Sequence, residues 1–273
     1  MSPLLLMMSC ILGIVLVVIT SGFVGINGIN KQTSLQVTQV TQLKSNVIFE
    51  DNFATGTRPD ANKWTYELGY MRNNEKQFFT NNNSNIRDGY MIIESRRENT
   101  NGFNYTSASV TTRGKFQFTY GTLEIRAQIP ATRGSWPAAW LLPVDGPWPD
   151  AGEIDLFENV GYEPDVVHAS VHTANKNGAN KNRDGATATT KISASDFNVY
   201  KLIWTEDKLE FQVNGTTYLT YKNERTGSRD WPFDKPFYLI LNNSIGGDWG
   251  GLQGIDDASF PCQYIIDYVK VYK

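Results

Sequence analysis

The sequence predicts an all-β chain, and three observations point that way. Short segments of alternating apolar and polar residues recur, turn signals such as Asp88-Gly89 and Asn214-Gly215 separate them, and long helical periodicity is missing while Asn, Gly, Thr and aromatic residues are frequent. The 273 residues carry 25 basic and 28 acidic side chains, a formal charge of −3, and no basic patch of the kind nucleic acid requires. An all-β sandwich of this length folds as one unit.

Residues 1–24 read as a targeting segment. Leu4 to Val24 is a nearly unbroken apolar run long enough to span a bilayer, and residues 1–30 hold no charged side chain. The small residues Thr20-Ser21-Gly22 favour a cleaved signal peptide, whereas the length of the run and the lack of a preceding Lys or Arg favour a signal anchor. On either reading the remainder is exported, secreted or anchored with its domain outside, and it meets a membrane only through this run. Residues 25–46, rich in Thr, Gln, Val and Ser, read as a polar linker, and residues 47–273 as the folded domain. Cys262 stands alone in that domain, so its stability is expected to come from the core without an internal disulfide. Sequons at Asn82, Asn104, Asn214 and Asn242 are candidates for glycosylation in a eukaryotic host.

The domain opens with a short strand at Val47–Phe53. Trp64–Glu67 follows, then a polar loop from Arg72 to Thr80. Asparagines in such a loop commonly just make turns, but their amides also pair with sugar hydroxyls. Ile86–Arg96 reads as a hairpin turning at Asp88-Gly89, and Gly121–Ile129 alternates as another strand. Within Gly134–Leu142 a period of two puts Trp136, Ala138 and Trp140 on one side, with the indoles roughly 13 Å apart. They are either core residues or platforms for neighbouring sugar units; their position just ahead of an acidic segment favours a cleft.

That segment, Gly152-Glu153-Ile154-Asp155-Leu156-Phe157-Glu158, packs three carboxylates into an apolar run. On a regular strand Glu153 and Asp155 share a face and Glu158 points away; one bulge at Leu156-Phe157 brings Glu158 back to them. Converging carboxylates repel one another and raise one another's pKa. The cost makes sense where one must stay protonated as an acid while another stays ionised as a nucleophile, as in glycoside hydrolysis. A solvated acidic edge is the plainer alternative. Downstream, Val166–Thr173 alternates so that His168, Ser170 and His172 share a face, too far apart on a strand to bind zinc as a pair. Asn175–Thr190 is a polar loop without identifiable chemistry. Strands follow at Val199–Trp204, Lys208–Val213 and Phe237–Asn242, then an expected mobile loop at Ser244–Gly251 and a closing strand at Tyr264–Tyr272.

Glu153–Glu158, Trp136-Pro137-Ala138-Ala139-Trp140, Trp231-Pro232-Phe233-Asp234 and Ile266–Tyr272 occur in an order and at distances that resemble glycoside hydrolase family 16, specifically its laminarinase-like endo-β-1,3-glucanase branch, over about residues 47–273. The resemblance implies a β-jelly-roll sandwich of two antiparallel sheets with a sugar-binding cleft. It also implies a monomeric enzyme that hydrolyses β-1,3-glucan, or mixed-linkage β-1,3-1,4-glucan, with retention and without a catalytic cofactor. Non-catalytic glucan recognition and transglycosylation are the alternatives on the same fold. By position, Glu153 resembles the nucleophile, Glu158 the acid/base, and Asp155 the residue that orients and tunes the nucleophile. The same matching implies Trp136, Trp140 and Trp148 as stacking platforms, Asn74 and Asn242 as hydroxyl binders, and His172 near the leaving-group side. It further implies a structural calcium held by Asp267 with oxygens near Glu50 and Gly89. The chain departs from the pattern at Ala108-Ser109-Val110, where many relatives carry arginine.

Overall fold

A computed structural model describes residues 46–70 and 72–273 of the chain. The targeting run and the linker up to residue 45 lie outside the described residues.

Among the described residues there are seventeen strands. In chain order they are β1 Val47–Asp51, β2 Thr65–Glu67, β3 Gln77–Phe79, β4 Ser84–Arg87, β5 Tyr90–Ser95, β6 Tyr105–Ser107, β7 Ser109–Thr111, β8 Gly121–Gln128 and β9 Ser135–Pro143. They continue as β10 Glu153–Glu158, β11 Val166–His172, β12 Thr187–Lys191, β13 Asn198–Trp204, β14 Lys208–Val213, β15 Thr216–Lys222, β16 Phe237–Ile245 and β17 Cys262–Tyr272. Eight of them form an outer sheet in the order β15-β14-β13-β8-β17-β5-β4, with β1 pairing onto β17. Seven form a second, antiparallel sheet in the order β12-β11-β10-β9-β16-β7-β2. Strands β3 and β6 make a small parallel pair at one side. The two large antiparallel sheets stack as a jelly-roll sandwich.

Alternation explains the layering. On β8, Leu123, Ile125 and Ala127 are buried while Glu124 and Arg126 face outward; on β13, Tyr200, Leu202 and Trp204 are buried. From the second sheet, Ile154, Leu156 and Phe157 join the same core cluster. Phe157 stacks on Tyr200 with ring centroids 3.9 Å apart. Each such side chain contributes about 1.5–3 kcal/mol by leaving water. The two hairpin turns take the conformation their sequences demand: Asp88 and Gly89 sit at φ 55° and 79°, Asn214 and Gly215 at φ 50° and 82°.

Register across the second sheet fixes what its free face presents. One row runs Glu67, Ser109, Asn242, Ala138, Glu158, His168 from β2 to β11. The next places Ile240, Trp140, Asp155 and Ser170 side by side. Strand β16 is buried along its whole length, because one face joins the core and the other is the floor of a cleft.

The expected mobile loop after Asn242 is instead built structure. Ser244 and Ile245 finish β16, and a helical turn, α1, spans Gly247–Gly250. Glycine permits the close packing here: a Cβ on Gly247 would meet the Asn73 carbonyl at 2.7 Å, and one on Gly250 would meet Trp136 Cβ at 2.9 Å.

Candidate active site

The free face of the second sheet lines a cleft of about 1200 Å³. At its centre the pairing of β10 slips against both neighbours, between Asp155 and Glu158 on β11 and between Asp155 and Phe157 on β9. This bulge turns both Leu156 and Phe157 into the core and returns Glu158 to the cleft beside Glu153. Asp155, on the row between them, is 2% exposed.

Each outer carboxylate is held by an indole. Trp136 Nε1 donates to Glu158 Oε1 at 3.0 Å, and Trp148 Nε1 donates to Glu153 Oε2. His172, directly opposite Glu153 on β11, brings Nε2 to 3.1 Å from Asp155 Oδ2. One ligand atom each from Glu153, Asp155 and His172 falls within 4.8 Å of the others.

Burial dominates the electrostatics. It acts with the charge of Asp155 to push Glu153 up to about 8, and with the charge of Glu153 to push Glu158 up to about 7. Asp155, the most enclosed, is held well above the usual carboxylate range by burial and the charge of Glu158. The opposing pulls come from His172 and the indole N–H groups on the two glutamates, from the hydrogen bond with Glu153 on Asp155, and from Arg183 on Asp155 and Glu158. His172 itself is lowered by burial, which favours its neutral form.

The remaining sequence expectations divide. Trp148 stands half exposed at the rim and Trp136 lines the cleft, both open to a ligand. Trp140 is not an open platform: it is 8% exposed, its N–H goes to Asn242 Oδ1 at 2.7 Å, and the Arg72 guanidinium lies over its ring at 4.8 Å. Asn242 also lines the cleft, but its amide is committed to Trp140 and, at 2.9 Å, to Ser244 Oγ, so it braces the indole instead of waiting for a hydroxyl. Asn74 falls outside the lining. Its amide is spent on Asp248 at 2.8 Å, and Asn73 forms the wall, because both residues take left-handed φ values of 57° and 53° and the loop turns between them.

Several cleft residues escaped the sequence reading. Arg183, in the polar loop before β12, reaches the floor and donates to Ser170 Oγ at 2.8 Å. Trp249, in α1, meets Trp136 edge-on at 5.5 Å and His168 at 4.8 Å; a tryptophan among glycines was the available signal. Within the Ala108-Ser109-Val110 stretch, Ser109 donates to Glu67 at 2.7 Å, and Glu67 in turn holds Arg72.

In the expected calcium set, cationic side chains stand at three of the oxygens. Asp267 pairs with Arg126, Glu50 Oε1 lies 3.0 Å from Lys270 Nζ, and the Glu50 carbonyl accepts from Lys63 Nζ at 2.7 Å.

Comparison with known proteins agrees with this geometry. Residues 69–270 match the family model described as Glycosyl hydrolases family 16. A Rhodothermus marinus protein named Beta-glucanase is 42% identical over 242 residues, covering 83% of this chain and 85% of the relative. The structure of the laminarinase from Rhodothermus marinus superposes with a TM-score of 0.81 at 41% identity, covering 84% of this chain and 97% of that one. A non-specific endo-β-1,3(4)-glucanase, crystallised as a mutant with a glucan oligosaccharide at its active site, also gives a TM-score of 0.81, at 35% identity over 85% of this chain and 95% of its own. The chain therefore belongs to glycosyl hydrolases family 16.

Proposed function

We propose that the protein is a retaining endo-β-1,3-glucanase, with Glu153 as nucleophile, Glu158 as acid/base and Asp155 between them. The observation that carries this reading is the β10 bulge, which sets two indole-held carboxyls on the cleft floor on either side of a buried third. Relatives named for the hydrolysis of β-1,3- and β-1,3(4)-glucans support the substrate class.

The chemistry follows from unequal burial. Glu153 and Asp155 are hydrogen-bonded carboxyl to carboxyl, which requires a proton on one of them. Burial and that bond raise Glu153 to about 8, while the bond lowers Asp155, so the resting cleft favours the proton on Glu153. Attack on the anomeric carbon requires it to pass to Asp155, the less exposed of the two. Glu158, raised to about 7, keeps a proton on the acid side of neutrality and gives it to the leaving oxygen. Water then attacks the glycosyl-enzyme, Glu158 takes the proton back, and Glu153 is released with the anomeric configuration retained. Export is part of the same reading and rests on the apolar run of residues 4–24.

The test is release of reducing ends from laminarin, with the anomer of the first product followed by NMR. The wild type is expected to release β-anomers, and Glu153→Gln to lower kcat on the order of 10⁴-fold or more while oligosaccharide binding persists. Undiminished turnover in that variant, or an α-anomer as first product, overturns the assignment. Chromatography for lengthened chains separates hydrolysis from transglycosylation.

A further inference from the structure

Trp136 and Trp140 leave the same strand on the same face and both line the cleft, yet Trp140 is only 8% exposed. Over Trp140 lies Arg72, its Cζ 4.8 Å from the ring centroid, with its side chain about a quarter exposed at 27%. The guanidinium is tethered from behind: Nη2 donates to Glu67 Oε1 at 2.6 Å, and the other oxygen of Glu67 accepts from Ser109 Oγ at 2.7 Å. The loop that carries Arg72 is pinned in turn, since Asp248 N–H donates to the Asn73 carbonyl at 2.9 Å and Asn74 donates to Asp248. Among the described residues, Glu67 is the one protein acceptor on this guanidinium, and Arg72 lines the cleft.

We propose that Arg72, laid over Trp140 and tied to Glu67, is a specificity-determining residue of the cleft: here the substrate meets a planar array of N–H donors in place of an aromatic face. An indole binds the C–H face of a pyranose and tolerates rotation of the sugar. A guanidinium donates along fixed directions in its plane, so it selects the orientation of hydroxyl oxygens. The neighbouring Arg113, over the Tyr238 ring at 5.6 Å, repeats the arrangement at the rim. The ligand class this fits is a neutral β-glucan read through its hydroxyls, one strand away from the carboxylates that do the chemistry. The proposal rests on the glucanase reading for its ligand, while its test is a binding measurement.

The experiment titrates laminarihexaose by calorimetry into the Glu153→Gln protein and into the same protein carrying Arg72→Ala, Arg72→Lys or Glu67→Gln. Arg72→Ala is expected to weaken binding about tenfold, the loss of a charge-assisted hydrogen bond to the ligand. Arg72→Lys keeps the charge and the partner Glu67 but not the plane, and is expected to recover less than half of that loss on a logarithmic scale. Glu67→Gln, which frees the guanidinium from its tether, is expected to weaken binding about threefold. In the catalytically intact protein the Arg72→Ala loss falls on KM, and the pH limits of kcat do not move. Equal binding by the Arg72→Ala protein, tighter binding through the uncovered indole, or full recovery by lysine in step with recovered Tm overturns the proposal; the last would make Arg72 a strut for its loop. No binding of laminarihexaose to the Glu153→Gln parent overturns it too. A wild type that binds the hexasaccharide without cleaving it removes the hydrolase reading and leaves the Arg72 measurement standing.

Discussion

The two faces of the sandwich treat carboxylates in opposite ways. On the outer sheet each acidic side chain sits beside a base: Glu124 pairs with Lys201 at 2.9 Å, Glu50 with Lys270 at 3.0 Å, Glu94 with Arg96 at 2.6 Å, Glu210 with Lys208. Hydrogen bonds from Lys208 and Gln212 bring Glu210 below its ordinary value, and for Glu94 the bonds from Arg96 and Gln263 outweigh its burial. On the cleft floor Glu153, Asp155 and Glu158 form no ion pair with Lys or Arg among the described residues, and all three are raised. The difference is one of purpose: a paired carboxylate is inert at neutral pH, whereas a crowded, desolvated one holds a proton where a proton can be used. The cleft is therefore the less stable face by construction, and the stability it forgoes is recoverable.

Removing the acid tests this most severely. Glu158→Gln is expected to lower kcat on the order of 10³-fold, the contribution of a positioned general acid. The same substitution should stabilise the fold in a pH-dependent way. Glu158 is raised in the folded state from 4.5 to about 7, so the stability it contributes is fully present below pH 4.5 and is lost as pH rises through about 7. At pH 8 the wild type carries the ionised group in its desolvated site and glutamine does not. Thermal melts should thus show Glu158→Gln gaining several degrees over the wild type at pH 8 and little at pH 4. An equal difference at both values would mean that the cluster is solvated enough to be indifferent to its charge.

A smaller effect separates the indoles from the burial they accompany. The Trp136 N–H favours the charged form of Glu158, so Trp136→Phe, which keeps the ring and removes the donor, should raise the alkaline limb of kcat/KM by a few tenths of a pH unit. In the wild type that limb is expected to fall through about pH 7 as Glu158 loses its proton. A downward displacement in the variant would reverse the assignment of Glu158 as the group that must be protonated.

How far the site was legible in the sequence follows from the range of each interaction. The bulge was readable because E-x-D-x-x-E cannot keep three carboxylates on one face at a period of two, and the apolar pair Leu156-Phe157 had to go inward. Most strands and the hairpins were readable for the same local reason, whereas β3 and most of β12 lie in segments read as polar loops. The different fates of Trp136 and Trp140 were not: strand periodicity makes them equivalent, and what covers Trp140 arrives from Arg72, in a distant loop whose path depends on two left-handed asparagines. Asn74 was misassigned for that reason, one residue from the Asn73 that lines the cleft. Arg183 lay in a segment whose polar composition looks like plain turn material, since a loop's reach into a cleft has no periodicity to betray it.

The outer sheet supplies the control with the smallest expected effect. Lys201 and Glu124 are cross-strand partners on β13 and β8, at 32% and 17% side-chain exposure, in a geometry that looks as favourable as a surface pair can be. Such pairs contribute about 1 kcal/mol or less, because water screens the attraction and both side chains lose freedom in making it. Lys201→Met keeps the aliphatic stem packed and removes only the charge. It is expected to lower Tm by no more than about 4 °C at low salt, with the difference shrinking in 1 M salt as the screening length falls to about 3 Å, and to leave laminarin turnover unchanged. A loss persisting at high salt would show that Glu124 is as desolvated as the cleft carboxylates, and the contrast between the two faces would then be one of pairing alone and not of burial.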